Sequence, residues 1–247
     1  MSLTIADALG RATELSAVSD SAKVDIEHCL CHLLACSSTY LRTWPDKSLT
    51  DSQVGELDRM IERRKQGEPI AYILGYRAFW SFDLEVSPDT LIPRADTECL
   101  VEQALALSLP KNATVLDLGT GTGAIALALA SEQPSWQVTA VDFMPGAVAL
   151  AERNRTRLRL SNARVIQSDW FSEVSGHFDL IVSNPPYIDP EDPHLDQGDV
   201  RFEPKTALIA DRHGLADIET IIDHAPNYLH SGAWLMFEHG YDQGAAV

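Results

Sequence analysis

Basic residues are scarce in this chain: 19 Lys and Arg stand against 36 Asp and Glu, for a formal net charge of −17. Gripping a nucleic-acid backbone generally takes a basic surface that displaces counterions, so the balance weighs against DNA or RNA as a direct partner, although an acidic chain can still hide a basic groove. Long apolar runs are missing too. None approaches the ~20 residues that span a bilayer, so no transmembrane segment and no membrane partner are expected. The start, Met1-Ser2-Leu3-Thr4-Ile5-Ala6-Asp7, carries neither a basic region nor an apolar signal core, which points to the cytoplasm. Cysteine is limited to Cys29, Cys31, Cys36 and Cys99, and disulfides are not expected in a reducing compartment. Cys29, His32 and Cys36 would share one stripe of a helix, but structural zinc sites draw paired ligands from tight turns. Small, readily buried residues lining a helix contact explain the stretch as well, and no metal is expected.

What is present fits an ordinary globular protein: 247 residues, 45% hydrophobic and 22% charged, enough for a sizeable core in one large or two smaller domains. Up to about Gly75 the apolar spacing is helical, with Leu3, Ala6, Leu9, Ala12 and Leu15 followed by Val24, Leu30, Leu33 and Leu34. Asp20 and Asp51 stand where N-caps belong, and Arg63-Arg64-Lys65-Gln66-Gly67 reads as a helix end. Residues 1–75 are therefore expected to form a helical bundle. Residues 76–94, with the aromatic run Phe79-Trp80-Ser81-Phe82, suggest a β-hairpin-like linker. From 95 to 247 helices alternate with short apolar strands (Thr114–Leu118, Val138–Asp142, Arg164–Gln167, Leu180–Val182 and Trp234–Glu238), the signature of a mostly parallel α/β sheet covered on both faces. A helix over Ile218–Leu229 must bend or end at Pro226.

Two strand ends carry the chemistry. After the fourth strand stands Asn184-Pro185-Pro186-Tyr187. An amide or aromatic amine nitrogen is a poor nucleophile because its lone pair is delocalised; the Asn184 side-chain oxygen and the Pro185 carbonyl can each accept one of its N–H bonds. Tyr187 offers a face for a planar group, and the prolines keep this backbone out of helix. Asn184, Pro185 and Tyr187 are the candidate catalytic residues, with Pro186 completing a substrate-binding loop. After the first sheet strand comes Asp117-Leu118-Gly119-Thr120-Gly121-Thr122-Gly123, a turn whose glycines allow a close backbone approach to a ligand. Asp142 ends the next strand, where a carboxylate suits ribose hydroxyls. That suits NAD and an adenosyl cofactor equally, but Asp117 beside the glycines favours a ligand amine and repels a pyrophosphate. Asp169-Trp170, after the third strand, is placed to meet an adenine. With Asn184 at its edge, this set describes a pocket for S-adenosylmethionine.

In these motifs the chain resembles the release factor glutamine methyltransferase family (HemK/PrmC). The resemblance extends through Gly67-Glu68-Pro69-Ile70-Ala71-Tyr72, Leu91-Ile92-Pro93-Arg94-Ala95-Asp96-Thr97-Glu98, Ser168-Asp169-Trp170-Phe171, Asp199-Val200-Arg201-Phe202-Glu203-Pro204 and Glu238-His239-Gly240. It implies a Rossmann-like class I S-adenosylmethionine-dependent methyltransferase with a small N-terminal helical domain that docks peptide chain release factors. It also implies N(5)-methylation of the glutamine in their Gly-Gly-Gln loop. By matched positions, Gly119 to Gly123, Asp142 and Trp170 would bind the methyl donor and Asn184 to Tyr187 the glutamine. Arg94 and Glu98 fall in a distinctive linker without an assignable role. The family pattern continues past Val247 with a helix and a β-hairpin, so the catalytic domain is expected to lack its C-terminal hairpin. The expected partner is a folded protein and the expected state a monomer. The rivals are a DNA or RNA adenine N6-methyltransferase, an NAD-dependent oxidoreductase, which leaves Asn184-Pro185-Pro186-Tyr187 unexplained, and a silent binding module.

Overall fold

The computed structural model describes residues 3–247 and divides into two compact units, residues 1–75 with 194–202, and residues 76–193 with 203–247.

The first unit is helical: α1 (Ile5–Gly10), α2 (Ala22–Leu34), α3 (Ser38–Thr43), α4 (Asp51–Lys65) and α5 (Ile70–Leu74). Ile5, Leu15, Ile26, Leu30, Leu57 and Ile61 form its core. Of the stripe read from the sequence, Ala12, Leu15 and Leu30 are buried, whereas Ala6 and Val24 are exposed, because α1 buries Ile5 and Ala8 and α2 buries Ile26 instead. The caps lie one residue later or earlier than expected. Thr50, not Asp51, caps α4, because its hydroxyl accepts from Gln53 N while the Gln53 side chain reaches back to Thr50 N, a reciprocal capping box. Asp20 likewise gives way to Ser21 as the residue before α2. Helix α2 stops at Leu34, with Ala35 left-handed at its end, so Cys36 lies outside the helix and the expected Cys29–His32–Cys36 stripe is broken. Cys29 is a core residue whose thiol burial pushes up to about 12. Among the described residues no helix is long and apolar enough to cross a membrane.

The polar centre of this unit is Arg64. Its side chain is buried, its Nε donates to Asp25 Oδ2 at 2.8 Å, and its Nη1 donates to Asp199 Oδ1 at 2.8 Å and to the Glu68 carbonyl at 3.0 Å. Asp25 also accepts from the Ser19 and Ser21 hydroxyls.

The second unit opens with the antiparallel hairpin β1 (Tyr76–Phe79) and β2 (Phe82–Glu85). A 3₁₀ turn at Ala95–Thr97 leads into α6 (Glu98–Ala106), whose Glu98 accepts from the Trp80 backbone N–H at the hairpin tip. Then β3 (Thr114–Leu118), α7 (Ala124–Glu132), β4 (Gln137–Asp142), α8 (Pro145–Leu158), β5 (Ala163–Gln167) and β6 (Phe178–Ser183) alternate as read from the sequence. A single turn α9 (Asp211–Gly214), α10 (Ala216–His224) and β7 (Leu229–Phe237) complete the described elements. The expected helix to Leu229 ends at His224: Pro226 sits in a 3₁₀ turn, and Leu229 already belongs to β7.

The sheet order is β5-β4-β3-β6-β7, and every pairing is parallel. Val115, Leu116 and Leu118 are buried because helices cover both faces. The chain runs outward from β3 through β4 to β5, then returns to the other side of β3 with β6. Such a reversal opens a crevice at the strand carboxyl ends. Leu118 pairs with Ser183, so the glycine turn and Asn184 leave neighbouring strands at that crevice.

Candidate active site

A cavity of about 390 Å³ lies within the second unit at these strand ends. Its wall includes Gly119 to Thr122, Asp142, Asp169, Trp170, Asn184 and Pro186. The other residues singled out from sequence, Asp117, Gly123, Pro185 and Tyr187, stand outside the wall and act, where the structure gives them contacts, by shaping it.

The glycine turn is built by backbone geometry that a side chain would oppose. Gly119, Gly121 and Gly123 have φ of +68°, +56° and +87°. Thr120 N donates to the Val141 carbonyl at 2.9 Å, and Asp142 Oδ2 accepts from Gly121 N at 2.9 Å, binding the turn to the end of β4. Asp142 Oδ1 accepts from Met144 N at 2.9 Å, and burial raises its carboxyl above the usual range. Trp170 has a positive φ of +46°, and its ring lies over Gly119: a Cβ built on that glycine would stand 3.7 Å from it. Asn154 of α8, which sequence reasoning missed, donates to the Thr122 carbonyl at 2.9 Å and to Glu85 O at 3.0 Å. A buried asparagine in a helix gives no sequence pattern to find it by.

Asp117 is fully buried beneath this turn. Its Oδ2 accepts from Thr120 Oγ1 at 2.6 Å and Ala126 N at 3.2 Å, whereas Oδ1 is buried with no partner. Burial pushes its carboxyl up to about 7. An unpartnered buried carboxylate oxygen is costly unless a ligand offsets it, and a buried charge acts over several ångströms in a low-dielectric site. With Asp89, Asp142, Asp169 and Asp217 on the cavity wall, the surroundings suit a cationic ligand without phosphate, as S-adenosylmethionine is. Asp217 left no trace in the sequence reading; burial raises its carboxyl, helped by Asp211 and Asp169.

Asn184 sits in a chain of hydrogen bonds. Its Nδ2 donates to Thr97 Oγ1 at 3.1 Å; Thr97 Oγ1 donates to Glu238 Oε2 at 2.8 Å; Tyr187 OH donates to Glu238 Oε1 at 2.9 Å. Tyr187 is therefore held by its hydroxyl, and burial together with Glu238 raises its phenol well above the ordinary value. Glu238 is fixed in turn, since its N–H donates to Ser183 O at 3.0 Å, extending the β6–β7 pairing by one residue. Arg94, on the cavity wall, pairs with the buried Glu203, which also accepts from Ile92 N at 3.1 Å. The loop after Tyr187 is closed at its base by a parallel bridge between Ile188 and Ile209.

Comparison with known proteins identifies the arrangement. Residues 7–75 match the PrmC N-terminal domain family and residues 96–199 the Methyltransferase small domain family. The release factor glutamine methyltransferase of Vibrio cholerae is 57% identical over 251 residues, covering 100% of this chain and 88% of that protein. That of Pseudomonas aeruginosa is 58% identical over 230 residues, covering 93% and 83%. Among solved structures, the hMettl16 catalytic domain superposes with a TM-score of 0.52 at 15% identity, over 82% of this chain and 72% of that one, a likeness of fold alone. With this identity along nearly its whole length, the chain belongs to the release factor glutamine methyltransferase family, as an S-adenosylmethionine-dependent enzyme of Rossmann-like class I fold.

Proposed function

We propose that this enzyme methylates the side-chain amide nitrogen of the glutamine in the Gly-Gly-Gln loop of peptide chain release factors, using the crevice between β3 and β6. The observation that carries the reading is Asn184, on the cavity wall at the end of β6 with its NH₂ group bonded to Thr97 and its oxygen left to accept. Asn184 Oδ1 and the Pro185 carbonyl hold the glutamine NH₂ with its lone pair facing the donor. S-adenosylmethionine supplies an electrophilic methyl group on a sulfonium. The Gly119–Gly123 turn, Asp142, Asp169 and Trp170 hold it. Alignment and exclusion of water contribute most of the acceleration, on the order of 7–11 kcal/mol in well-positioned reactions. No residue of the motif is a strong base, and the proton of the alkylated amide passes to water. The N-terminal helical domain, residues 1–75, docks the release factor. The enzyme works in the cytoplasm as a monomer, and the net charge of −17 supports the absence of a direct nucleic-acid partner.

Labelled methyl is expected on a wild-type release factor, and not on one whose Gly-Gly-Gln glutamine is changed to alanine, nor on duplex DNA. Label on the DNA would overturn the partner and favour the adenine methyltransferase reading. Label on both forms of the factor would overturn the assignment of the acceptor atom.

The Asp117 carboxyl adds a pH dependence. Raised from 3.8 to about 7, it is largely protonated below that pH and ionised above it. A cationic ligand favours the ionised form, so binding releases a proton where the free enzyme holds one. Cofactor affinity is therefore expected to rise as pH rises toward 7 and to level off above it. An Asp117→Asn protein should bind more weakly and without that slope, as read by equilibrium titration across neutral pH. The same slope in both proteins would exclude Asp117 as its source.

A further inference from the structure

We propose that Thr97 and Glu238 are positioning residues that fix which end of the Asn184 amide faces the acceptor glutamine. The inference rests on the reading of Asn184 given above. An asparagine amide is nearly symmetric in shape but not in chemistry: turned over, it would present NH₂ where the substrate NH₂ needs an oxygen. Asn184 cannot set its own orientation, because a half-turn about its Cβ–Cγ bond exchanges oxygen and nitrogen in nearly the same shape. The polarity of its surroundings must set it.

The geometry shows how. Glu238 as a carboxylate only accepts, and its two oxygens take the hydroxyl protons of Tyr187 and Thr97 at 2.9 and 2.8 Å. Thr97 has one proton. Having given it to Glu238, it can only accept from Asn184, and the atom facing it at 3.1 Å is Nδ2. Oδ1 is thereby turned the other way. Thr97 is 4% exposed, so water cannot readily substitute for the missing partner. The members come from three parts of the second unit: Asn184 and Tyr187 follow β6, Glu238 follows β7, and Thr97 leads into α6. Pairing of Glu238 N with Ser183 O places the carboxylate beside the residue preceding Asn184. The chain also joins Tyr187 to the same carboxylate, so both polar side chains of the Asn184–Tyr187 loop share one anchor.

Two near-isosteric changes test the direction of the bonds rather than the packing. Thr97→Val removes the oxygen and keeps the shape. Glu238→Gln keeps the shape but replaces one of the two acceptors with an NH₂. Facing Thr97, it donates, and Thr97 then donates to Asn184 and draws Oδ1 toward itself; facing Tyr187, it deprives that hydroxyl proton of its acceptor and loosens the shared anchor. Both are expected to lower kcat by about 10²-fold, the effect of losing alignment at a reacting centre. Cofactor Kd and the thermal midpoint should change little, and Thr97→Ser, which restores the hydroxyl, should recover most of the turnover. Turnover is read as methyl transfer to release factor, with Asn184→Ala alongside. Near-normal kcat in Thr97→Val and Glu238→Gln while Asn184→Ala is crippled would overturn the inference alone. A loss of kcat in Thr97→Val that Thr97→Ser fails to recover would overturn it as well, by pointing to packing. Near-normal turnover in Asn184→Ala would overturn both the inference and the reading beneath it.

Discussion

Asn184→Ala is expected to reduce methyl transfer to release factor by about 10²-fold or more, equivalent to at least about 2.7 kcal/mol of transition-state stabilisation, while cofactor binding stays largely intact. The loss should fall on kcat. On the proposed reading the asparagine oxygen is one of two acceptors for the planar NH₂, and the other, the Pro185 carbonyl, cannot by itself stop rotation about the remaining N–H bond. The cofactor, on the same reading, would be held mainly by the glycine turn, Asp142 and Trp170, none of which hydrogen-bonds to the Asn184 amide. Asn184→Asp sharpens the test. It preserves size and acceptor oxygens, but Thr97 has one proton and would face two carboxylates, the one introduced by the substitution and that of Glu238. It should therefore also be severely impaired, although a simple count of acceptors would leave it active. Single-turnover methyl transfer beside a cofactor titration separates the outcomes; near-normal turnover of Asn184→Ala would exclude the residue from the reacting centre.

Arg64→Met is expected to destabilise the helical unit by about 3–5 kcal/mol, the cost of leaving one member of a buried ion pair alone. The side chains of Arg64 and Asp25 are 6% and 4% exposed, so little water reaches the carboxylate once the guanidinium is gone. Asp25 would keep the Ser19 and Ser21 hydroxyls, but these offset only part of a full charge. Arg64→Lys should fall between, because a single ammonium cannot reproduce the two-sided fork that spans Asp25 and Asp199. Replacing Asp25 by Asn in the Arg64→Met background should recover part of the loss, since no buried charge is then unpaired. Asp199→Asn alone should cost less than about 1 kcal/mol, because that carboxylate is 39% exposed and screened. Hydrogen exchange of the α2 and α4 amides in the full chain reads these changes locally. Protection unchanged in Arg64→Met would mean that the pair contributes nothing net.

Much of the fold is legible because it is written in short-range patterns. Strand β3 falls on Thr114–Leu118 as read, since an apolar run bounded by a glycine turn has few other uses. The caps fall elsewhere than the acids suggest because a capping box depends on a reciprocal side-chain pair, Thr50 with Gln53, rather than on the acidic residue beside it. The helix through Pro226 reads too long because apolar spacing continues across the start of β7. The Cys29–Cys36 stripe requires a helix longer than the left-handed Ala35 permits.

The sequence by itself determined the alternation of helices and parallel strands, the glycine turn with its acids, and the Asn-Pro-Pro-Tyr loop, because each lies within a few consecutive residues and carries its own chemical logic. The resemblance to the family was narrowed by the linker at residues 91–98 and the long loop after Tyr187, and identity of 57–58% to its members establishes membership. Only the tertiary structure decided which way the Asn184 amide is held, that Tyr187 is tethered by its hydroxyl, and that Asp117 keeps an unpartnered oxygen under the turn. The first two facts rest on contacts between residues 87, 141 and 51 positions apart, and the third on burial that no local pattern encodes. A hydrogen bond has a direction, and its direction here is set by a carboxylate that β7, distant in sequence, brings alongside the end of β6.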